Sequence, residues 1–237
     1  WQSLAHLCEH VIACDGGAYV QPMANVTILP SDGERRGPAH TRNRALAVAQ
    51  GAFILPLDAD DYLTPRAVET LLREYGRGEW SYVYGDTYTM ERDGTFMLRS
   101  APDYIQKTYV NAEGQKWGGM DSHNLHVVTA LTPTKHWRTV GGWDDGVDAW
   151  EDWSGHLRLA MAGICGHRIP QPVLVYRVYE GDRMTQFYGG APELMEKVLV
   201  RYRNSKGEIP MTSCCGGDVD LAAIAQNAAA GAPLPAA

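Results

Sequence analysis

The chain has 237 residues, 45% of them apolar and 21% charged, with a formal net charge of −7. That length supports one large α/β domain with a full core, in ordinary globular proportions. The acidic balance and the lack of a Lys/Arg block argue against a nucleic-acid backbone as partner, and no apolar run approaches the length of a membrane span.

Residues 2–8 predict a short helix, and Val11–Cys14 a buried strand that ends at Asp15-Gly16-Gly17. A doubly wound sheet places a strand before such a helix, so the given sequence is expected to start after the first strand of its fold. Val26–Leu29 reads as a second strand. Gly37-Pro38 opens a helix that runs through Arg42-Asn43 and stops at Gly51. A strand follows at 53–57, then a helix over 65–75 with Thr64 as N-cap. Residues 80–86 and 95–99 predict a hairpin around Arg92-Asp93-Gly94. The polar, Gly-rich stretch from 100 to 121 has no period and reads as a mobile loop. A short helix over 133–139 ends at Gly141-Gly142. Asp148-Ala149-Trp150-Glu151 has the spacing of a capping box and opens a helix to Gly163. A last strand is expected at 172–178 and a last helix at 191–203, with a frayed end beyond.

Five cysteines, Cys8, Cys14, Cys165, Cys214 and Cys215, show no zinc spacing and leave one over when paired. They read as reduced thiols of a cytoplasmic protein.

The most informative segment is Phe53-Ile54-Leu55-Pro56-Leu57-Asp58-Ala59-Asp60-Asp61. A buried apolar run delivers three carboxylates to the C-terminal edge of a strand. Alternation along an extended chain lets Asp58 and Asp60 project the same way. Two such acids at the rim of an α/β sheet suit a hard divalent cation and, through it, a phosphate. Asp61 reads better as a structural acid before the next helix.

Four motifs in order carry a resemblance: Asp15-Gly16-Gly17, Arg42-Asn43, Asp58-Ala59-Asp60, and Gly141-Gly142-Trp143-Asp144 followed by Trp150-Glu151-Asp152-Trp153. Together they resemble family 2 glycosyltransferases of GT-A fold, over roughly residues 4–180. The resemblance implies a Rossmann-like mixed sheet flanked by helices, and inverting transfer from a nucleotide-sugar. Asp15, Arg42, Asn43 and Asp58 match positions that face the donor nucleotide, usually a UDP-sugar. Asp15 reads equally as a turn residue before two glycines. Asp60, helped by Asp58, matches the ligand of Mn²⁺ or Mg²⁺. Asp152 matches the catalytic base, its ionised form favoured by the helix dipole.

Contacts to the acceptor or diphosphate are assigned to Glu151, His123, His156, Trp117, Trp150 and Arg183, although a helical His such as His156 is more often a satisfied core residue. The domain reading is a GT-A unit over 1–205, with a nucleotide half over 1–100 and an acceptor half over 101–205, and a flexible tail over 206–237. The acceptor hydroxyl belongs to a glycan, protein or small molecule. Two other readings stay open: a nucleotidyltransferase on a sugar phosphate, and a non-catalytic nucleotide- or carbohydrate-binding module on the same scaffold.

Overall fold

A computed structural model describes residues 8–16, 26–78, 80–110, 112–147, 149–178 and 192–214. The expected helix over 2–8 therefore lies almost wholly outside the described residues. So do Arg183, the capping-box residue Asp148 and the chain beyond Cys214.

Strands β1 (His10–Ala13) and β2 (Val26–Leu29) pair in parallel, His10 opposite Val26 and Ala13 opposite Leu29. Helix α1 (Gly37–Val48) packs beside them. Its Arg44 donates to the backbone carbonyls of Cys14 and Pro30, just past the ends of the two strands.

The main sheet is mixed. Its order is β3 (Phe53–Ile54), β9 (Ala130–Pro133), β5 (Tyr82–Met90), β10 (Gly166–Arg177) and β4 (Tyr62–Leu63). The long central pair β5–β10 is parallel, and the other pairings are antiparallel. β6 (Phe96–Arg99) pairs with the C-terminal half of β5, while β9 pairs with its first half. β10 shifts register between Ile169 and Leu174, and there Gly85 of β5 is obligatory. A Cβ on Gly85 would lie 2.6 Å from the Gln171 carbonyl oxygen.

Strand alternation sorts the core onto two faces. Tyr82, Tyr84 and Ala130 point to one side and pack with α1, α3 (Thr134–Thr139) and α4 (Glu151–Met161) through Leu46, Trp137 and Leu159. Val83 and Leu131 point to the other and meet Leu71 of α2 (Ala67–Tyr75) with Val173 and Leu174. Leu71 is wholly buried there, so truncation to Ala would cost about 2–5 kcal/mol. A third cluster joins α4 to α5 (Pro192–Tyr202) through Trp153, Leu157, Val198 and Tyr202.

Several expectations are corrected. Thr64 does not cap α2: its hydroxyl donates to the Pro172 carbonyl, and Arg66, left-handed at φ 64°, precedes the helix. Residues 100–121 are not a featureless loop. They contain the hairpin β7 (Tyr109–Val110) and β8 (Lys116–Trp117), closed by Asp121, which accepts from the Thr108 backbone and hydroxyl at 2.7 Å each. The start of α4 shows no side-chain cap bond at its N-cap, Trp150.

Cys165 and Cys214 form a disulfide across 49 positions, so these two thiols are not reduced. Their distance in sequence hid a pairing that only the fold brings together. As far as Cys214 the expected tail is packed, with Ile209 buried in the α4–α5 cluster. Disulfides persist in oxidising compartments, so the thiols no longer support a cytoplasmic location. Among the described residues no helix is long and apolar enough to cross a membrane.

Candidate active site

The chain leaves β3 at Ile54, and Leu55–Leu57 carry it to a tight turn in which the Asp61 N–H donates to the Asp58 carbonyl (3.1 Å). Arg177, the last residue of β10, clamps this turn: its backbone N–H donates to Asp61 Oδ1 (3.1 Å) and its side chain to the Asp60 carbonyl. Asp61 thus has the structural place expected of it. Asp58 keeps its side chain 41% exposed at the rim.

Arg42, in the middle of α1, joins this turn to α4. One terminal nitrogen of its guanidinium donates to Asp58 Oδ1 (2.7 Å), the other to Glu151 Oε1 (2.8 Å). Burial disfavours its charge, but the flanking carboxylates of Asp58 and Glu151 outweigh that and hold it firmly protonated. A planar fork is suited to bridging two acids in this way; an ammonium would not reach both with the same geometry.

Beside Glu151, Asp152 occupies the first turn of α4. Asn124 Nδ2 donates to its Oδ2 (2.8 Å), and the Trp153 backbone N–H donates to its Oδ1 (2.8 Å). Burial, then the charge of Glu151, push the Asp152 carboxyl up to about 6; Arg42 and the two hydrogen bonds oppose the rise. The helix dipole alone would have moved it down, so enclosure outweighs the dipole here. At pH 7 a carboxyl of that pKa is roughly ten parts ionised to one protonated, and more basic than an ordinary carboxylate. Trp150, directly before this turn, is left-handed at φ 61°. For a bulky side chain this is a strained conformation, of the kind found at functional sites.

The acceptor-side motif is held by buried bonds. Asn43 forms a reciprocal pair with Trp143, donating to its carbonyl (2.8 Å) and accepting from its N–H (2.9 Å). Gly142, at φ 75°, is required beside it, because a Cβ there would sit 2.3 Å from Asn43 Oδ1. Asp144, 4% exposed, accepts two bonds from Arg201 (2.9 Å each) and one from Tyr202 (2.8 Å), tying α5 to the motif.

Arg42, Asp58, Glu151 and Asp152 therefore come together, with Trp150 at the edge. Other expected residues are placed elsewhere. Asp15 accepts from the backbone N–H groups of Arg36 (2.9 Å) and Gly37 (3.3 Å), capping the start of α1 from across the chain. The Asn43 amide is engaged with Trp143. His156 is fully buried among Tyr82, His126 and Trp137, which puts it in the core and out of reach of an acceptor. Nor is it a satisfied core histidine, since neither ring nitrogen has a partner among the described residues. His123 is exposed, with Nδ1 2.9 Å from Ser122 Oγ. Trp117 lies in β8, and Arg183 falls outside the described residues. Trp143 and Trp153 are core residues. Asn124 carries no motif, and no sequence signal marks it.

Among the described residues no three His, Cys, Asp or Glu side chains form a ready-made metal cluster.

Residues 18–130 match the family model described as Glycosyl transferase family 2. Similar curated proteins include the chondroitin synthase of Pasteurella multocida (strain Pm70), 26% identical over 149 residues, or 62% of this chain and 14% of that protein. The hyaluronan synthase of Pasteurella multocida matches to the same extent. The chondroitin synthase of Escherichia coli is 25% identical over 137 residues, 56% of this chain and 18% of that protein. The chain thus spans less than a fifth of these relatives' lengths. Among solved structures, S. aureus TarS in complex with UDP-GlcNAc superposes with a TM-score of 0.53 at 16% identity, over 87% of this chain and 55% of that one. The matched segment carries Arg42, Asp58 and Asp60, while the Glu151-Asp152 turn lies beyond it. The sequence match over residues 18–130 and the GT-A architecture agree in likening the chain to the family 2 glycosyltransferases.

Proposed function

We propose that this chain transfers a sugar from a nucleotide-sugar, most simply a UDP-sugar, to an acceptor hydroxyl with inversion at the anomeric carbon. The observation that carries this reading is the bridge made by Arg42. It links the acid-tipped turn after β3 to Glu151, the immediate neighbour of Asp152. A donor-side acid and the enclosed carboxylate are thereby brought to one site.

In this reading Asp152 accepts the proton of the acceptor hydroxyl as its oxygen bonds to the anomeric carbon. The bond from that carbon to the diphosphate oxygen breaks, and the nucleoside diphosphate leaves with the electron pair. A single base opposite the leaving group gives in-line displacement.

Asp60 and Asp58 would hold Mn²⁺ or Mg²⁺. Their hard carboxylate oxygens fit these ions, and one or two carboxylates completed by phosphate oxygens suffice for such a site, without the larger side-chain cluster an all-protein cage needs. When bound, the ion supplies Lewis-acid stabilisation of the departing diphosphate. Arg42 holds Asp58 and Glu151 in place, and Trp150 offers an aromatic face beside the base.

Calorimetric titration with UDP in the presence of Mn²⁺ tests the donor half. Absence of binding removes the donor assignment. Asp152→Asn is expected to keep UDP binding and to lose transfer, and full transfer by that variant removes Asp152 from the role of base. Product analysis showing pyrophosphate in place of nucleoside diphosphate would convert the reading to nucleotidyl transfer.

A further inference from the structure

Asn124 stands on the segment between β8 and β9, 28 positions before Asp152 in sequence, and reaches it only through the fold. Its Nδ2 gives a 2.8 Å hydrogen bond to Asp152 Oδ2, while its own Oδ1 is buried with no hydrogen-bond partner among the described residues. A buried amide oxygen left without a donor destabilises a fold, and an apolar side chain of similar shape would avoid that loss. The amide has one visible use, which is to present its N–H to Asp152.

We propose that Asn124 is a positioning residue for Asp152. It holds one carboxylate oxygen as an acceptor, so that the remaining lone pairs meet the incoming hydroxyl in one fixed orientation. This rests on the reading of Asp152 as the base. Two donors fix the carboxylate: the Trp153 N–H restrains Oδ1 from within α4, and Asn124 restrains Oδ2 from outside the helix. A carboxylate gripped at both oxygens cannot rotate about its terminal bond. A hydrogen bond to the charged form also favours ionisation, in a place where burial and Glu151 act against it. The charged groups facing Asp152 are Glu151 on its own helix and Arg42 from α1, itself paired with Asp58. His156, one turn along α4, is held uncharged by its burial.

The test is a ¹³C-carboxyl NMR titration of the full chain, with the Asp152 signal assigned by its loss in Asp152→Asn. Asn124→Leu removes the donor with little change of shape. Its Asp152 midpoint is expected to rise by about one pH unit above wild type, with the native fold retained. A folded Asn124→Leu with an unmoved midpoint overturns the proposal, as does a lowered melting temperature with no change in midpoint. If the Leu variant does not fold, Asn124→Ser, whose short hydroxyl does not span the gap, is read by the same criterion. In a transfer assay with a UDP-sugar, Asn124→Leu should lower kcat and move the acid limb of the rate profile upward, leaving the KM for donor in place. The titration itself needs no substrate. A chain that transfers no sugar would sink the functional reading and leave the Asn124–Asp152 coupling to be judged separately.

Discussion

Replacing Asp152 by Asn should make the protein more stable at alkaline pH. The carboxyl is pushed from its ordinary 3.8 up to about 6 in the fold, chiefly by burial and next by Glu151. A group whose pKa rises on folding binds its proton more tightly in the native chain. Its contribution is therefore fully favourable below about pH 3.8 and is lost as pH climbs through 6. Two units correspond to about 3 kcal/mol of strain on the native state at pH 8. Asp152 keeps some contact with solvent, which trims this figure, and the amide keeps only one of the two oxygens that now accept from the Trp153 N–H and the Asn124 amide, a loss of about 1 kcal/mol. The net expectation is a gain of about 2 kcal/mol at pH 8, or roughly 5 °C in melting temperature for a chain of this size. At pH 4 the gain should vanish or turn into a small loss. Thermal denaturation of both proteins from pH 4 to 8 reads this directly. A difference in melting temperature that is constant with pH, or that favours wild type at pH 8, would refute the account of Asp152 as an enclosed, strained carboxylate.

Arg42→Met should destabilise by about 3 kcal/mol, because it leaves Glu151 partly buried without its counter-charge, and the double variant Arg42→Met/Glu151→Leu should recover most of the loss in urea titrations. Recovery confined to an Asp58 partner variant would contradict this, since the exposed Asp58 arm is worth little. Cys165→Ser should cost up to about 4 kcal/mol by chain entropy for a 49-position loop, and dithiothreitol should lower the wild-type melting temperature but not that of the variant. An unchanged wild type in reductant would refute it. His126 is held uncharged by burial, its pKa lowered from 6.5 to about 4, and burial lowers His156 well below 6.5 as well, so their share of stability is complete above pH 6.5 and is lost as pH falls through the lowered values. His156→Phe should flatten the acid limb of the stability curve between those values, and a slope equal to wild type would remove His156 from the acid response.

What the sequence showed of this fold depended on whether the signal was local. Gly37-Pro38 at the head of α1, the Asp93-Gly94 turn between β5 and β6, and Gly141-Gly142 closing α3 are chain-local devices, and the elements they bound are present, although β5 runs to Met90, past its expected end at 86. β4 is two residues long and exists only because Tyr62 and Leu63 pair with Val175 and Leu174, more than a hundred positions away. The Thr64-Pro65 signal was a true polar signal with the wrong partner: the hydroxyl found the Pro172 carbonyl instead of a helix N–H. The hairpin β7–β8 hid inside a Gly-rich polar stretch whose alternation is too short to register. In the site, the acids at 58–61 stood out by motif spacing although β3 ends at Ile54, short of the expected 57, and leaves them in a turn beyond it, while the Glu151-Asp152 pair stands at the start of α4. The function of Arg42 as a bridge was not, since spacing says nothing of two acids 16 positions after it and 109 positions after it meeting on one guanidinium. Asn124 and the Cys165–Cys214 bond were invisible for the same reason.

These observations also locate the places where the native state is under load. Trp150 is held left-handed, Asp152 is enclosed against its charge, and the Asn124 amide oxygen has no described partner. All three fall within or against the first turn of α4, and each is unfavourable by about 1–3 kcal/mol on general grounds. Nothing in ordinary packing asks for such a concentration, because a Gly, an Asn and a Leu at the three positions would relieve it. The restraints that oppose it surround the same turn: Arg42 on Glu151, the Asp144–Arg201–Tyr202 set binding α5 behind it, and the disulfide that holds the chain after α5 to the start of β10. A fold that stiffens one helical turn from several sides, and keeps a raised carboxylate in it, is consistent with that carboxylate doing chemistry. If Asp152 were only a first-turn acid balancing the helix dipole, its pKa would be lowered in the fold and Asp152→Asn would lose stability at pH 8 instead of gaining it; the Asp152→Asn titration separates these cases.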